Sequence, residues 1–403
     1  MGMRLRAVSV TVFVLLTVSS ALLLTAPPAS AASKKWTTDT DFTAAGAAGS
    51  LPIFNGVEVV GTGVPAAVQL LKDNLDWKNN NPSTNPSARE SPGLAYSVAN
   101  NLVVLFGGYD GFWKDDTWEY NFGTNTWSQV TGAPKPQGRE GPGMSYDPVK
   151  KVVVLFGGTD GTTFLTDTLE YDVTAKTWAL KSPAPSPPPM EDTPLVYDSA
   201  RQTHILVGLN TNTQLIETWE YNAATTAWAN RAPSTRPTPR VGHAIAYHAA
   251  RARTVLFGGA DPAALTIFGD TWEYDSAGNS WSQRSPATSP SARVRHVMTY
   301  KPSLSSALLF GGLASGAGVQ RDTWSYDATG EWSFVGVNTM PPARQRSSFT
   351  YHAQADVAVL FAGVTGTNNL LGDTWTLGAA FRAAGKYTSA VFDGGAANVI
   401  GLS

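Results

Sequence analysis

The chain has no cysteine and only five histidines in 403 residues. Without thiols it can form no disulfide, no thiolate metal site and no cysteine nucleophile, so packing and hydrogen bonds alone must hold it together. Charge is scarce as well: 15% of residues are charged and the formal net charge is −2. Such a balance offers no basic stripe to a phosphate backbone, so nucleic acid is not an expected partner. Long apolar runs are absent beyond one near the N-terminus. There Met1-Gly-Met-Arg-Leu-Arg6 precedes an apolar stretch to about Thr25 and then Ala29-Ser30-Ala31. These are the three parts of a Sec-type signal peptide cleaved before Ala32, so the expected localisation is extracellular, with no stable membrane insertion after cleavage. The stretch is long enough to leave a retained anchor as an alternative.

Aromatic and apolar residues are plentiful, 42% of the chain being hydrophobic with 13 tryptophans, which suffices for a large globular core. Trp77, Trp127, Trp178, Trp228, Trp281 and Trp332 each open the same frame. A tyrosine follows 19 residues later every time: Tyr96, Tyr146, Tyr197, Tyr247, Tyr300 and Tyr351. At 12 residues stands Arg89, Arg139, Arg240, Arg293 or Arg344, with Met190 in the third unit. At 30 and 31 come Gly107-Gly108, Gly157-Gly158, Gly258-Gly259 and Gly311-Gly312, loosened to Gly208-Leu209 and Ala362-Gly363. Each double glycine runs into another strand rather than a helix, so it reads as a sharp turn and not a phosphate loop.

In the first full unit four strands are expected, over 93–98, 101–108, 116–121 and 126–130. The second lacks polar alternation and should be covered on both faces. A repeat of about 50 residues of this kind indicates propeller blades. The expected fold class is all-β, a six-bladed β-propeller. The last unit supplies only three strands before Leu377, so the segment 68–77 is expected to complete it and fasten the chain ends together. The expected divisions are a signal peptide at 1–31, a β-like flank at 32–67 containing Val57–Val60, the propeller at 68–378, and a second β-like flank at 379–403. That last flank resembles the opening of a β-sandwich module.

The units resemble kelch repeats, whose blades show a double glycine followed by spaced Tyr and Trp. The resemblance is carried by Phe106-Gly-Gly108 with Tyr120 and Trp127, and by Phe156-Gly-Gly158 with Tyr171 and Trp178. Phe257-Gly-Gly259 with Tyr274 and Trp281, and Phe310-Gly-Gly312 with Tyr326 and Trp332, repeat it across roughly residues 70–377. The third unit departs from it, with Val207-Gly208-Leu209 and Met190, and should be the least regular. Galactose oxidase carries its copper radical site on this fold, but that site needs a cysteine crosslinked to tyrosine, so neither cofactor nor metal is expected here. Sialic-acid mutarotases, another kelch-like class, work through polar side chains; the candidate acids and bases are Glu90, Glu140, Glu191, His243 and His296. No Gly-x-Ser-x-Gly elbow is present and no histidine has an identifiable nucleophile partner.

The frame arginines read either as structural locks paired with carboxylates or carbonyls, or as a ring of cations at the channel mouth. Arg295 and Arg346, two residues beyond the frame position, are the better ligand candidates, because in peptide-binding kelch domains arginines at similar places line the mouth. Loops after the double glycine vary in length and content, which suits specificity. Among them Tyr109, Phe112 and Trp113 lie outside the repeated aromatic series and could stack on a sugar face or pack on the neighbouring unit. The resulting expectation is a secreted, monomeric binding module for a glycan or an extracellular protein. The alternatives are a metal-free carbohydrate-active enzyme at the channel mouth and a structural domain of an extracellular assembly.

Overall fold

A computed structural model describes residues 75–132 and 134–379, together with the strands Leu22–Leu23, Val57–Val60, Ala67–Leu70, Tyr387–Val391 and Asn398–Leu402. It divides into residues 76–378 and a unit made of the two chain ends. In the latter, Ala67–Leu70 pairs with both Leu22–Leu23 and Val57–Val60, and Tyr387–Val391 forms a hairpin with Asn398–Leu402. Among the described residues no helix is long and apolar enough to cross a membrane. The signal peptide expected at 1–31 lies, apart from Leu22–Leu23, outside the described residues.

Residues 76–378 are antiparallel β-structure, relieved only by short 3-10 turns at Ala249–Arg251 and Pro302–Leu304. Apart from a small three-stranded sheet of Arg293–Val294, Leu313–Ala314 and Gly318–Val319, the described strands form six successive sheets. The first is Gly93–Ser97, Leu102–Phe106, Thr117–Asn121 and Thr126–Val130; the second is Gly143–Asp147, Val152–Phe156, Thr168–Asp172 and Thr177–Lys181. The fourth is Ala244–His248, Arg253–Phe257, Thr271–Asp275 and Ser280–Arg284, and the fifth Val297–Lys301, Ser306–Phe310, Thr323–Tyr326 and Trp332–Phe334. In the sixth, Ser348–His352, Val357–Phe361 and Thr374–Ala379 receive their fourth strand from Leu75–Asn79, at the other end of the described chain. The completing strand therefore begins later than position 68, because Ala67–Leu70 pairs with Val57–Val60 instead.

The third sheet is the irregular one. Its second and third strands, Thr203–Asn210 and Leu215–Asn222, run eight residues each into a plain hairpin, and Met190–Glu191 adds a fifth strand. Elsewhere the chain breaks out of the second strand at the double glycine. Gly312, for instance, has φ +92°, and a Cβ there would stand 2.8 Å from the Val294 carbonyl and 2.9 Å from the His296 nitrogen. With no such turn in the third sheet, Leu209 takes an ordinary strand position and is buried.

Second strands are covered on both faces, as their unbroken apolar sequence requires: Val103, Val104, Leu105 and Phe106 are fully buried. The hydrophobic clusters lie between sheets. One joins Ala95, Val104 and Phe106 to Tyr146, Val153 and Trp178; another joins Leu94, Val103 and Trp127 of the first sheet to Val359 and Phe361 of the sixth. The opening tryptophans stitch these seams. Each stands on a fourth strand and donates its indole N–H to a threonine of the third strand of the preceding sheet, the residue that opens that strand in every sheet but the third. Trp178 reaches Thr117, Trp228 reaches Thr168, Trp281 reaches Thr218 and Trp332 reaches Thr271, all at 2.9 Å. Trp77 of the sixth sheet reaches Thr323 at 3.0 Å, and Trp127 of the first reaches Thr374 of the sixth at 2.9 Å.

Candidate functional site

The frame arginines are locks. Arg89, Arg139, Arg240, Arg293 and Arg344 are at most 1% exposed, and each forks onto an aspartate: Asp116, Asp167, Asp270, Asp322 and Asp373, at 2.5–2.7 Å. The same guanidinium also donates to the carbonyl ending the second strand, at Gly107, Gly157, Gly258, Gly311 and Ala362. Both readings of these arginines were open from the sequence; burial decides for the structural one, since no ligand can reach them. In the third unit Met190 is buried where the arginine would stand, and the equivalent carboxylate, Glu217, is served by Asn210 at 2.7 Å and Trp219 at 2.8 Å.

Just past the lock, each unit's next residue pairs with the residue after the double-glycine position, except in the third unit, where the partner is Leu209 of that position itself. Glu90 pairs with Tyr109, Glu140 with Thr159, Glu191 with Leu209, Val241 with Ala260, Val294 with Leu313 and Gln345 with Val364. This pairing fixes the root of every variable loop against the frame. One residue further on, Ser91, Gly141, Asp192, Gly242, Arg295 and Arg346 all adopt left-handed backbone, φ +50° to +70°. They bond to one another from unit to unit. Ser91 N–H donates to the Arg346 carbonyl at 2.7 Å, Gly141 to Ser91 at 2.8 Å, Arg346 to Arg295 at 3.0 Å and Arg295 to Gly242 at 2.7 Å. At the irregular unit the Gly242 N–H instead meets the Asp192 carboxylate.

This backbone track gathers Glu90, Glu140, Glu191, Asp192, Arg295 and Arg346 into one electrostatic neighbourhood. Arg346 donates to Glu90 at 2.9 Å. Burial pushes Glu140 up, opposed by Arg346 and reinforced by Glu90; burial and then Asp192 push Glu191 up. Asp192 is raised by burial against the pull of the Gly242 N–H and of Arg295. Arg295 is lowered, by burial first and by Arg346 second. Four carboxylates face two guanidinium groups, so the group carries more acid than base, and one arginine is already committed to Glu90.

The aromatic loop sits beside this group. Tyr109 and Trp113 meet in a tilted pair, 5.2 Å between centroids and 47° between planes, and Trp113 contributes to holding the Glu140 carboxylate. The Trp113 ring also covers Gly161 of the second unit so closely that a Cβ there would stand 1.9 Å from it. Phe112 projects free, 76% exposed, with Trp113 at 40%; in the fourth unit's corresponding loop Leu265 is 80% exposed.

His243 and His296 follow Gly242 and Arg295 directly but turn inward and are buried. Burial, then Arg240, lowers His243 to about 3; burial, Arg293 and His243 itself lower His296. None of the six charged residues is among the causes, so the two histidines sense each other rather than that group. Among the described residues no three His, Asp or Glu side chains are arranged to hold a metal ion. His204 does have a hydroxyl neighbour: its Nδ1 lies 2.6 Å from Ser145 Oγ and its Nε2 3.5 Å from Asp147. The order is nonetheless wrong for nucleophilic catalysis. All three side chains are buried, and the aspartate, not the serine, borders the small cavity formed with Lys150 and Arg201.

Sequence reasoning missed the aspartate of each lock and the threonine that receives each tryptophan. Both were visible as one motif, Asp-Thr-Trp at 116–118, 270–272, 322–324 and 373–375, with Asp-Thr-Leu at 167–169 and Glu-Thr-Trp at 217–219. A family model described as the Attractin/LZTR1 beta-propeller matches residues 114–300, and one described as the Kelch motif matches residues 92–134. No curated protein matches the chain.

Proposed function

Because the chain belongs to the kelch-repeat β-propeller family, we propose that its six sheets are the blades of a closed propeller that serves as a protein-binding module. Closure is supported by the tryptophan series, in which every sheet reaches the preceding one and the first reaches the sixth. It is supported equally by the strand Leu75–Asn79 completing the sheet begun at Ser348. The leader-like segment before Ala32 is the basis for proposing export to the extracellular space.

The observation that carries the binding reading is the exposure of Phe112 and Leu265 on loops of the same type. Large apolar side chains held in water on well-paired loops cost solvation free energy that a partner would recover. Between those loops lie Glu90, Glu140, Glu191, Asp192, Arg295 and Arg346, a charged centre that would orient a protein segment. His243 and His296 are buried against the double glycines, at Gly259 and Gly312, and take no part in this centre. Tyr109 and Trp113 give the rim its rigidity. Kelch propellers are commonly protein-interaction modules, which agrees with this face. A glycan remains the competing ligand class, favoured by the half-exposed Trp113 beside Glu140.

The test places a photo-crosslinking residue at position 112 or 265, and at 98 or 149 in the turns at the opposite ends of the strands as controls. Discrete protein adducts from the first pair alone support the reading. Adducts from the control pair alone refute it, and so does a glycan-array signal lost in Phe112→Ala or Arg295→Ala without any protein adduct.

A further inference from the structure

The cleft between the fourth and fifth sheets holds a cavity of about 390 Å3 lined by Arg251, Arg253, Glu273, Ser282, Arg284 and Ala328. It belongs to a repeated arrangement in which a third-strand glutamate is clasped by cations. Glu170 takes Lys150 at 2.9 Å and Lys181 at 3.1 Å; Glu220 takes Arg201 at 3.2 Å and Arg231 at 3.3 Å. In those two clefts both cations engage the carboxylate.

The fourth sheet differs. Arg251 alone occupies Glu273, with Nε on Oε1 at 2.7 Å and Nη2 on Oε2 at 3.0 Å, while its Nη1 crosses to the Ala328 carbonyl at 2.7 Å. The Tyr326 hydroxyl adds a further bond to Oε1 at 2.8 Å. The carboxylate thereby accepts three hydrogen bonds, and Arg284 stands 3.8 Å from it, within ion-pair range but beyond hydrogen-bond reach. Among the described residues the Arg284 guanidinium makes no hydrogen bond. Arg284 Nη2, Tyr326 Oη and Arg251 Nη1 all lie against Gly330, at 3.2, 3.2 and 3.3 Å from the point where a Cβ there would stand. Arg253, held by Asp275 at 3.0 Å, flanks the same cavity. Three guanidinium groups thus border a space whose one lining carboxylate already accepts three hydrogen bonds.

We propose that this cleft binds the oxyanion of a small acidic molecule, a carboxylate, sulfate or phosphate monoester, on the planar fork of Arg284 with Arg253 alongside. A guanidinium offers two parallel N–H donors to such a group and is the side chain best suited to it. The Ser282 hydroxyl supplies a neutral donor on the same wall. Because the cleft is built from the second, third and fourth strands of the fourth sheet, the turn after its first strand and the last turn of the fifth sheet, it is independent of the loops proposed to bind a protein.

The experiment is calorimetric titration of the full chain with inorganic phosphate, inorganic sulfate and glucuronate at constant ionic strength, on wild type, Arg284→Gln, Arg284→Lys and Arg321→Gln. Arg321 is an exposed arginine outside the cleft. Saturable binding that weakens about tenfold in Arg284→Gln, is partly restored in Arg284→Lys and is unchanged in Arg321→Gln is the expected result. Preference for phosphate and sulfate would assign a tetrahedral ester, and preference for glucuronate a carboxylate. Absence of saturable binding by all three anions, or equal weakening in Arg284→Gln and Arg321→Gln, would overturn the proposal. Arg284 is half in solvent and outside the core, so its loss should leave the thermal midpoint within about 2 °C of wild type.

Discussion

Replacing Arg89 by methionine tests the locking role of the frame arginines, and it repeats at the first unit what the third unit carries naturally. Arg89 donates through Nε to the Ser87 carbonyl, through Nη1 to the Gly107 carbonyl and Asp116, and through Nη2 to Ser87 Oγ and Asp116, at 2.6–3.1 Å. Methionine can fill the volume but leaves the Asp116 carboxylate with Trp118 as its remaining donor, at 2.7 Å. Stranding one partner of a buried pair costs about 3–5 kcal/mol. For a domain of this size that lowers the thermal midpoint by about 6–10 °C, at roughly 2 °C per kcal/mol. Burial pushes Asp116 up, but the Arg89 bonds outweigh it and the carboxyl sits below its ordinary value. A carboxyl depressed in the folded state contributes its full stability above the unfolded value and loses it as pH falls through the folded one. Urea denaturation at pH 7 therefore reads the whole effect. Adding Asp116→Leu should recover part of the loss, because the carboxylate stranded by the first change is then removed. A cost for Arg89→Met below about 1 kcal/mol, the range of an exposed pair, would refute the lock.

Trp77→Ala should cost about 3–5 kcal/mol, as Trp281→Ala should, although Thr323 lies 246 residues from Trp77 in sequence; chemical denaturation compares the two, and a negligible effect at Trp77 would argue against closure. Gly312→Ala combines φ +92° with backbone contacts under 3.0 Å and should destabilise by about 2 kcal/mol or more, whereas Gly336→Ala, whose Cβ meets nothing within 4 Å, should be nearly neutral in the same assay. All five histidines are lowered from their ordinary value with burial as the first cause, so each takes up a proton less readily in the fold than in the unfolded chain, which protonates below about pH 6.5. Their stabilisation is complete above that pH and declines on acidification. Between pH 6.5 and 5, His243 alone should account for about 2 kcal/mol, and urea midpoints for His243→Phe should fall less steeply than those of wild type; parallel slopes would contradict this.

The fold was legible because its determinants recur. A tryptophan, an arginine and a tyrosine at constant spacing report the same packing problem solved six times, and the one unit that breaks the pattern, with Met190 and Leu209, is the sheet whose strands run straight through the usual turn. The strand that completes the sixth sheet was expected on the right grounds but placed several residues early. Leu75–Asn79, rather than Ala67–Leu70, joins that sheet, and the Trp77 indole it carries meets Thr323, a contact 246 positions away that local pattern does not record.

The candidate site was legible only in its parts. Arg295 and Arg346 could be singled out because they lie off the frame, but the sequence gives no sign that Arg346 is spent on Glu90, 256 positions away. Nor does it show that Asp192, in the one unit without a frame arginine, joins the same group. A repeat assigns each residue to an end of its own unit; it does not say which charges from different units meet where those ends converge. Arg295 and Arg346 were therefore read toward an acidic ligand with no sign in the sequence that Glu90, Glu140, Glu191 and Asp192 share their neighbourhood. A partner that docks over this centre should then present a lysine or arginine to it. Its affinity should fall on raising ionic strength, and Glu140→Gln should weaken binding while Arg295→Gln strengthens it. The opposite pair of responses would restore the arginines as the recognition element.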